Sequence, residues 1–468
     1  MADKACASSL GNSSECFHDT FQRTGPGRRS ETSCLTASVE FGQHFDSLLA
    51  VTQRLAAGKS VRIVTLGGSV PYGNNCIRPN GEHHRSCSWP ARLVHTLRSA
   101  YPASAIAHDN LASGGNGVVH ILSTLGIVLR ESTDLILLDS LVNDAWRSGS
   151  VAASQALEAL IRTARALAPS AALLVVEAAA PGLGDEIQQA KRRVLEHYHI
   201  ATLDWKSAAQ ASPSLWRPGP IAGTRSTDVN HPSWITHQMI ADNAAALWGR
   251  AARRACRRGA IGGLSVQTPS AAAIAGTAAV APLERYWPQA TLWRAAELSN
   301  YDVCTRPLSV YTSVGGGGSG DGGGGGSNVG IGSPSKSHGW RFFADRPNKY
   351  GWIATEVGAR IGFELHFGAA PRFCLTYLRS YERVGRIQLA IPAIGFRAEL
   401  DALWSDRASQ SDVLWFGTTQ GHDMTISYNT MHVAGLMPNS THTIEARLLD
   451  TPTREGGNKF KILQLVSC

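Results

Sequence analysis

The sequence predicts two domains of different class, an α/β domain followed by an all-β domain. Between residues 38 and 255, short apolar runs alternate with segments whose apolar residues recur at helical spacing. This alternation is typical of a parallel sheet with helices on both faces. Between residues 339 and 468, short runs alternate in period two and are separated by turn residues, which is typical of a β-sandwich or jelly roll. A chain of 468 residues is also too long for one typical core.

Five nearly continuous apolar runs predict the strands of the first domain, because strands buried on both faces of a parallel sheet carry few polar residues. These runs cover residues 61–66, 105–111, 134–139, 172–177 and 200–205. Apolar residues at helical spacing predict helices between and after them, at residues 89–99, 118–130, 152–167, 187–198 and 234–250.

The remaining segments complete the predicted domain plan. Residues 1–37 are polar and rich in Ser, Gly and Arg, so we expect them to be disordered. Residues 256–338 are expected to form a linker region, because the tract 315–332 is mostly Gly and Ser and has the composition of a flexible coil. Residues 339–468 form the predicted β-sandwich accessory domain. Its strands are predicted at residues 361–367, 373–378, 387–391, 443–449 and 460–465.

Composition and charge are those of a globular protein with a mildly basic surface. The chain is 43% hydrophobic and 17% charged, and its net charge is +8. The densest arginine cluster, residues 250–258, lies at the end of a predicted helix, where cations complement the helix dipole without needing a ligand. No basic stripe is interleaved with aromatic residues, so a nucleic-acid partner is not expected.

The nine cysteines leave the compartment open. Cys76 and Cys87 flank a polar loop, and Cys374 and Cys468 lie in the C-terminal domain; each is either part of a disulfide or a buried thiol. Disulfides would favour a secreted or secretory-lumen protein, but no signal peptide is visible at the N-terminus. No segment is apolar for long enough to predict a transmembrane span. The Cys and His spacing does not match a zinc site, and we expect no metal or cofactor.

Four polar motifs are the candidate functional elements. They are Gly67-Gly68-Ser69, Gly114-Gly115, Val142-Asn143-Asp144 and Asp228-Val229-Asn230-His231. The first three follow predicted strands of the parallel sheet. Because sites in such sheets form at the carboxyl ends of the strands, we expect these motifs to converge.

The motifs supply the groups needed for acyl transfer through a serine. Ser69, at a glycine-rich turn, would present an exposed hydroxyl as nucleophile. His231 would take its proton, and Asp228 would hold the ring in the required tautomer. The amides of Ser69 and Gly115 and the side chain of Asn143 would donate to the oxyanion.

Each motif taken alone also has a structural interpretation. Ser69 and Asp228 could cap helices, Asn143 could form a turn, and Gly115 could be an ordinary loop glycine. The spacing of the last motif predicts a short loop entering a helix, with Pro232 at an early helical position. The order and placement of the four motifs together favour the catalytic interpretation.

In this order the motifs resemble those of the SGNH (GDSL-type) hydrolases, over about residues 60–250. The resemblance implies a flavodoxin-like, three-layer α/β hydrolase domain with a triad of Ser69, Asp228 and His231. It also implies an oxyanion hole of Ser69, Gly115 and Asn143, with Gly114 as the alternative glycine.

Three further positions bear on the resemblance. Gly68 replaces the usual Asp of the first block, and Leu141 replaces the glycine of the third. Neither change removes a catalytic group. His237 matches a second His that family members often carry in a structural role.

The sequence therefore predicts a serine esterase that acts on a small-molecule or glycan ester, with O-acyl groups on a glycan as one substrate class. Two alternatives remain: an O-acyltransferase that uses the same serine, and a non-catalytic carbohydrate-binding or adhesion protein with a decayed hydrolase domain. Tryptophans of the second domain offer stacking faces for sugars or packing for a core; they are Trp340, Trp352, Trp404 and Trp415. The oligomeric state is left open.

Overall fold

The computed structural model describes residues 46–79, 81, 83–147, 149–221, 224–261, 291–293, 307–312, 333–346, 349–404, 409–418, 430–450 and 457–468. The predicted disordered segment 1–37 and the Gly-rich tract 315–332 lie outside these residues. The chain divides into two compact units. Most described residues up to 292 belong to the first unit; residues 118–129 and 158–163 group with the second, which otherwise begins at residue 293.

Strands and helices alternate from residue 46 to residue 261, as the sequence predicts. In chain order they are α1 Asp46–Ala56, β1 Val61–Gly67, α2 Ser69–Tyr72, α3 Trp89–Ala100, β2 Ile106–Asn110, α4 Val118–Val128, β3 Leu135–Asp139, α5 Leu141–Arg147, α6 Ser150–Leu167, β4 Ala172–Val176, α7 Asp185–His197, β5 Ala201–Leu203, α8 Trp205–Ala211, β6 Pro218–Pro220, β7 Thr227–Pro232 and α9 Trp234–Ile261.

The strands β1 to β5 form one parallel sheet in the order β2-β1-β3-β4-β5. This flavodoxin-like order confirms the predicted fold class of the first domain. The chain leaves β1 towards β2 on one side and later returns to β3 on the other side. A crevice therefore opens at the carboxyl ends of β1 and β3, which is where ligands bind in sheets of this type.

The central strands are continuous apolar runs because both of their faces are covered. Ile63 and Leu137 belong to the core cluster that contains residues of α1, α3 and α9. Val64 and Leu138 point to the opposite face and are equally buried. Side chains at odd and at even positions of these strands are thus both removed from water. This explains why polar and apolar residues do not alternate in these runs.

The fifth strand is shorter than the run that predicts it. It ends at Leu203, because Asp204 turns the chain into α8 and its Oδ1 accepts a hydrogen bond from the Ser207 amide at 2.9 Å. A carboxylate at this position is a favourable helix N-cap. The sequence prediction did not include the short helices α2, α5 and α8, nor α1 at the start of the described residues.

The second unit is built of strands. They are β8 Ser309–Thr312, β9 Lys336–His338, β10 Trp340–Arg346, β11 Lys349–Ala354, β12 Arg360–His366, β13 Arg372–Arg379, β14 Arg386–Ile391, β15 Phe396–Asp401, β16 Gln410–Gly417, β17 Thr430–His432, β18 Thr441–Leu448 and β19 Phe460–Ser467. One sheet has the order β10-β11-β19-β13-β16-β17 with β8 also paired to β19, and the other has the order β15-β14-β18-β12-β9.

Side chains from both sheets share one core, which confirms the β-sandwich. Phe363 of the second sheet contacts Tyr311 and Trp352 of the first, with ring centroids 4.9 and 5.4 Å apart. Edge-to-face pairs of this kind add to the stability gained by burial. The strands β8 and β9 pair within these sheets although they lie in the interval 256–338. The exact domain limits stay a prediction.

The structure decides between the two interpretations of several cysteines. Cys76 and Cys87 form a disulfide, and Cys468 is also disulfide-bonded. Cys374 is a buried free thiol whose pKa is raised to about 12 by burial. Within the described part of the chain, no helix combines the length and apolar character needed to cross a membrane.

Candidate active site

Ser69 lies at the junction of β1 and α2, at the carboxyl edge of the parallel sheet. The Gly68 amide donates to the carbonyl oxygen of Asp139 at the end of β3, at 3.0 Å. Gly67 has a φ of +153°, and a Cβ there would collide with the same carbonyl, so only glycine fits. The expectation of an exposed Ser69 is wrong: the residue is 3% exposed, because it begins a helix whose four residues are all buried.

Asn143 contacts the turn at Ser69 from the end of the neighbouring strand β3. It lies on helix α5, which follows β3 after one residue. The side-chain Oδ1 of Asn143 accepts a hydrogen bond from the Ser69 amide at 3.4 Å. A Cβ at Gly68 would collide with this Oδ1. Any residue larger than glycine at position 68 would therefore require the Asn143 side chain to move.

The loop that contains Gly114 and Gly115 reaches the same turn. The Ser113 amide donates to the Gly67 carbonyl at 3.0 Å. Gly115 has a φ of +86°, in the left-handed region where glycine is favoured, which distinguishes it from Gly114. The part of Gly115 as an oxyanion donor stays a prediction.

Asp228 and His231 lie on strand β7, which pairs with β6 in an irregular register. Gly219 pairs with Asp228 and Pro218 pairs with Pro232, so the three intervening residues of β7 have no partners on β6. This irregularity brings His231 Nδ1 to 2.6 Å from Asp228 Oδ2. The sequence predicted a loop entering a helix with Pro232 in its first turn. The structure instead places Pro232 in the strand, and α9 begins at Trp234.

Hydrogen bonds to Asp228 keep its carboxyl group ionised. The pKa of Asp228 is lowered, chiefly by the hydrogen bond from His231 and further by the amides of Asn230 and His231. The Nδ2 of Asn75 also lies 3.1 Å from Asp228 Oδ2. Sequence reasoning missed Asn75, since no motif connects it with a residue so distant along the chain.

His237 is buried behind this pair and fits the structural role expected of it. Its Nδ1 accepts the Trp89 backbone N–H at 3.2 Å. Desolvation lowers the pKa of His237 to about 3, and the charges of Arg92 and His231 act in the same direction. A ring that stays neutral and holds a backbone amide is suited to fixing the start of α3, not to proton transfer.

A buried polar cluster includes Asp144, the residue that follows Asn143 in the chain. Lys191 Nζ contacts Asp144 Oδ2 at 2.8 Å and Ser140 Oγ at 3.0 Å. Asp139 lies nearby and accepts a hydrogen bond from Trp89 Nε1 at 3.0 Å. Burial raises the pKa of Asp139 to about 8, although the hydrogen bond from Trp89 and the charge of Lys191 act to lower it.

The elements that carry the predicted residues meet around the short helix α2. This helix, which begins at Ser69, contacts α5, which carries Asn143, and β7, which carries Asp228 and His231. In the part of the chain that the structure describes, no three His, Cys, Asp or Glu side chains are grouped so that they could hold a metal ion.

Comparison with known proteins finds a family match within the first unit. Residues 65–239 match the model of the GDSL-like Lipase/Acylhydrolase family. The matched segment contains all the site residues predicted from the sequence. No curated protein sequence matches the chain.

Solved structures resemble the chain over nearly its whole length. A two-domain esterase active on acetylated mannans is 15% identical, with a TM-score of 0.55 over 90% of this chain and 95% of that one. The same esterase co-crystallised with mannopentaose gives a TM-score of 0.56 over 92% and 96% of the two chains, also at 15% identity. The chain therefore has a fold of the GDSL/SGNH type followed by a C-terminal β-sandwich, and these similar structures are two-domain esterases.

Proposed function

We propose that the protein is a serine esterase, with Ser69 as the nucleophile and His231 and Asp228 as the proton-transfer pair. The observation that carries the proposal is the 2.6 Å contact between His231 Nδ1 and Asp228 Oδ2, on a strand that contacts the helix beginning at Ser69. An ionised carboxylate at Nδ1 favours the tautomer whose proton is on that nitrogen. The lone pair of Nε2 is then available to accept the serine proton.

The first half of the reaction forms an acyl-enzyme. His231 Nε2 takes the proton of the Ser69 hydroxyl while Oγ attacks the ester carbonyl carbon, and the carbonyl π electrons move to its oxygen. His231 then gives the proton to the leaving alcohol as the C–O bond breaks. In the second half, water repeats the attack and the acid leaves with Ser69 restored.

The oxyanion would be held by the Ser69 amide, the Gly115 amide and the Asn143 side chain. In the resting structure the Ser69 amide donates to Asn143 Oδ1, so the Asn143 amide must turn to present Nδ2 to a substrate. This turn would free the Ser69 N–H at the same time. Removal of one such donor costs on the order of 10²-fold in rate.

The proposed substrate is an O-acylated glycan. The likeness to an esterase active on acetylated mannans extends over both units of the chain and favours this class over small soluble esters. The tryptophans of the second unit do not support a sugar-stacking role. Trp340, Trp352 and Trp415 are buried, and the guanidinium of Arg379 lies over the ring of Trp404, 4.3 Å from its centroid.

The test measures acetate released from acetylated mannan and hydrolysis of p-nitrophenyl acetate, with the wild type beside Ser69→Ala. We expect the variant to lose at least about 10³-fold in kcat, and a fluorophosphonate to label the wild type at Ser69. Ser88→Ala is the matched control, because Ser88 is buried in the same domain and bonds the Arg85 carbonyl. Turnover that survives in Ser69→Ala would refute the proposal.

Two results would instead select an alternative. Mannan binding without hydrolysis in the wild type would indicate a non-catalytic binding protein. Acyl transfer to an added sugar alcohol in preference to water would indicate an acyltransferase.

A further inference from the structure

Asn75 is tied to the turn that follows Ser69. The amides of Gly73 and Asn74 both donate to the Ser69 carbonyl, at 3.1 and 3.0 Å. The next residue, Asn75, has a φ of +58°, in the left-handed region that Asn tolerates better than most residues. The position of Asn75 is therefore set by the backbone of Ser69.

A disulfide closes the loop directly after Asn75. Cys76 is bonded to Cys87, and its amide donates to the Gly73 carbonyl at 3.1 Å. The carbonyl of Cys76 accepts from the His84 amide at 3.1 Å. Contacts on both sides thus restrict the freedom of this loop.

The same residue packs against the hairpin that carries Asp228 and His231. A Cβ at Gly219 of β6 would lie 2.7 Å from the Asn75 carbonyl oxygen and 2.9 Å from its Cβ, so glycine is needed for this approach. Gly219 pairs with Asp228 across the hairpin. Asn75 Nδ2 donates at 3.1 Å to Asp228 Oδ2, the oxygen that also contacts His231 Nδ1.

We propose that Asn75 is a positioning residue, which holds the Asp228 carboxylate in the orientation that receives the His231 ring. This inference rests on the proposed esterase function. Asp228 is 24% exposed, so without Asn75 water can reach Oδ2 and the carboxylate can rotate away from the ring. Because Asn75 is fixed to the Ser69 turn, its hydrogen bond also sets the distance between the proton-transfer pair and the nucleophile.

The experiment compares two variants that keep the left-handed backbone. Asn75→Gly removes the amide donor, and Asn75→Asp replaces it with a carboxylate of the same shape. Asn439→Gly is the matched control, because Asn439 is exposed in the second unit and has a φ of +54°. We expect kcat to fall about tenfold in Asn75→Gly with KM unchanged, since the loss of a hydrogen bond to a charged group is worth about 1.5 kcal/mol.

The dependence on pH separates positioning from general destabilisation. In Asn75→Asp two carboxylates face each other at neutral pH, and one of them must hold a proton before the hydrogen bond can form. We therefore expect kcat of Asn75→Asp, relative to wild type, to be below that of Asn75→Gly at pH 8 and to rise as the pH is lowered. Equal ratios for the two variants at every pH would overturn the inference.

A second readout does not need turnover. We expect the proton between His231 Nδ1 and Asp228 to give a downfield NMR signal in the resting protein. This signal should shift in both Asn75 variants and stay unchanged in Asn439→Gly. If the wild type proves to have no Ser69-dependent activity, the proposed function fails and this signal alone judges the inference. An unshifted signal would overturn it.

Discussion

Two hydrogen-bonded pairs of the first unit, each containing a carboxylate, have similar lengths and different exposure. His231 lies 2.6 Å from Asp228, and Lys191 lies 2.8 Å from Asp144. The side chains of His231 and Asp228 are 19% and 24% exposed, whereas those of Lys191 and Asp144 are 1% and 0% exposed. Both pairs lie near the carboxyl edge of the sheet, so their distance from the candidate site does not distinguish them.

The difference indicates what each pair can do. A partly exposed pair can be reached by a bound molecule and can exchange a proton with it. A fully buried pair cannot lose one charge without leaving the other unsolvated. We therefore expect changes in the first pair to act on the reaction, and changes in the second pair to act on the fold.

The largest expected effect is on catalysis, in Asp228→Asn. The amide keeps the shape of the carboxylate but no longer favours a proton on His231 Nδ1, so kcat should fall by about 10⁴-fold. The free energy of unfolding at pH 7 should fall only modestly, because the stabilisation that accompanies the lowered pKa of Asp228 is weakened by partial exposure. Asp109→Asn is the control, since Asp109 forms a surface ion pair with Arg62. A loss of kcat below tenfold would contradict the assignment of Asp228.

The second-largest expected effect is on the free energy of unfolding, in the variant Lys191→Met. This change leaves the Asp144 carboxylate buried without its cation and should cost about 3–5 kcal/mol in the free energy of unfolding, measured with urea. Lys206→Met is the matched control, because Lys206 is equally buried but its partner Asp185 is 55% exposed and can be solvated. Equal losses in the two variants would show that partner exposure does not govern the cost.

The effect that is smallest per unit of the variable changed is a slope of stability with pH, and it concerns Asp139. Burial raises the pKa of Asp139 to about 8, so the folded chain keeps a proton that the unfolded chain releases near pH 4. Between these values each unit of pH lowers wild-type stability by up to about 1.4 kcal/mol through this group. Asp139→Asn removes the contribution, so urea unfolding should show the variant gaining on wild type from pH 5 to pH 8.

Asp228 has the opposite pKa shift to Asp139, so its effect on the pH dependence of stability is different. Its pKa is lowered in the folded state, so the stability that it contributes is present above the unfolded pKa and is lost only in acid. The contribution of the Asp228 carboxyl group itself should therefore stay constant from pH 5 to pH 8, whereas that of Asp139 falls. Parallel curves for Asp139→Asn and wild type would mean that Asp139 is ionised in the folded protein.

Much of this fold could be predicted from the sequence, because the pattern of apolar residues shows which faces of the strands and helices are buried. The strand β3 is apolar at successive positions since both faces of the sheet are covered, and the motif with Asn143 follows at its end. The order of the motifs and their placement at strand ends were enough to predict that Ser69 and Asn143 lie close together. The period-two alternation in the second unit likewise predicted a β-sandwich.

The parts that could not be predicted depend on contacts between distant residues. The irregular pairing of β6 and β7 leaves no pattern in the sequence, so Asp228 and His231 were expected in a loop. Asn75 contacts Asp228 only because the hairpin folds back onto the Ser69 turn. Lys191 lies on an amphipathic helix, where a lysine is normally exposed, and only the fold shows that it is buried.

The absence of a side chain at position 68 keeps space for the amide group of Asn143. A Cβ there would occupy the place of Asn143 Oδ1, so the two positions are sterically coupled. Any larger residue at position 68 would displace this amide, and it would thereby move the group from which an oxyanion donor is expected.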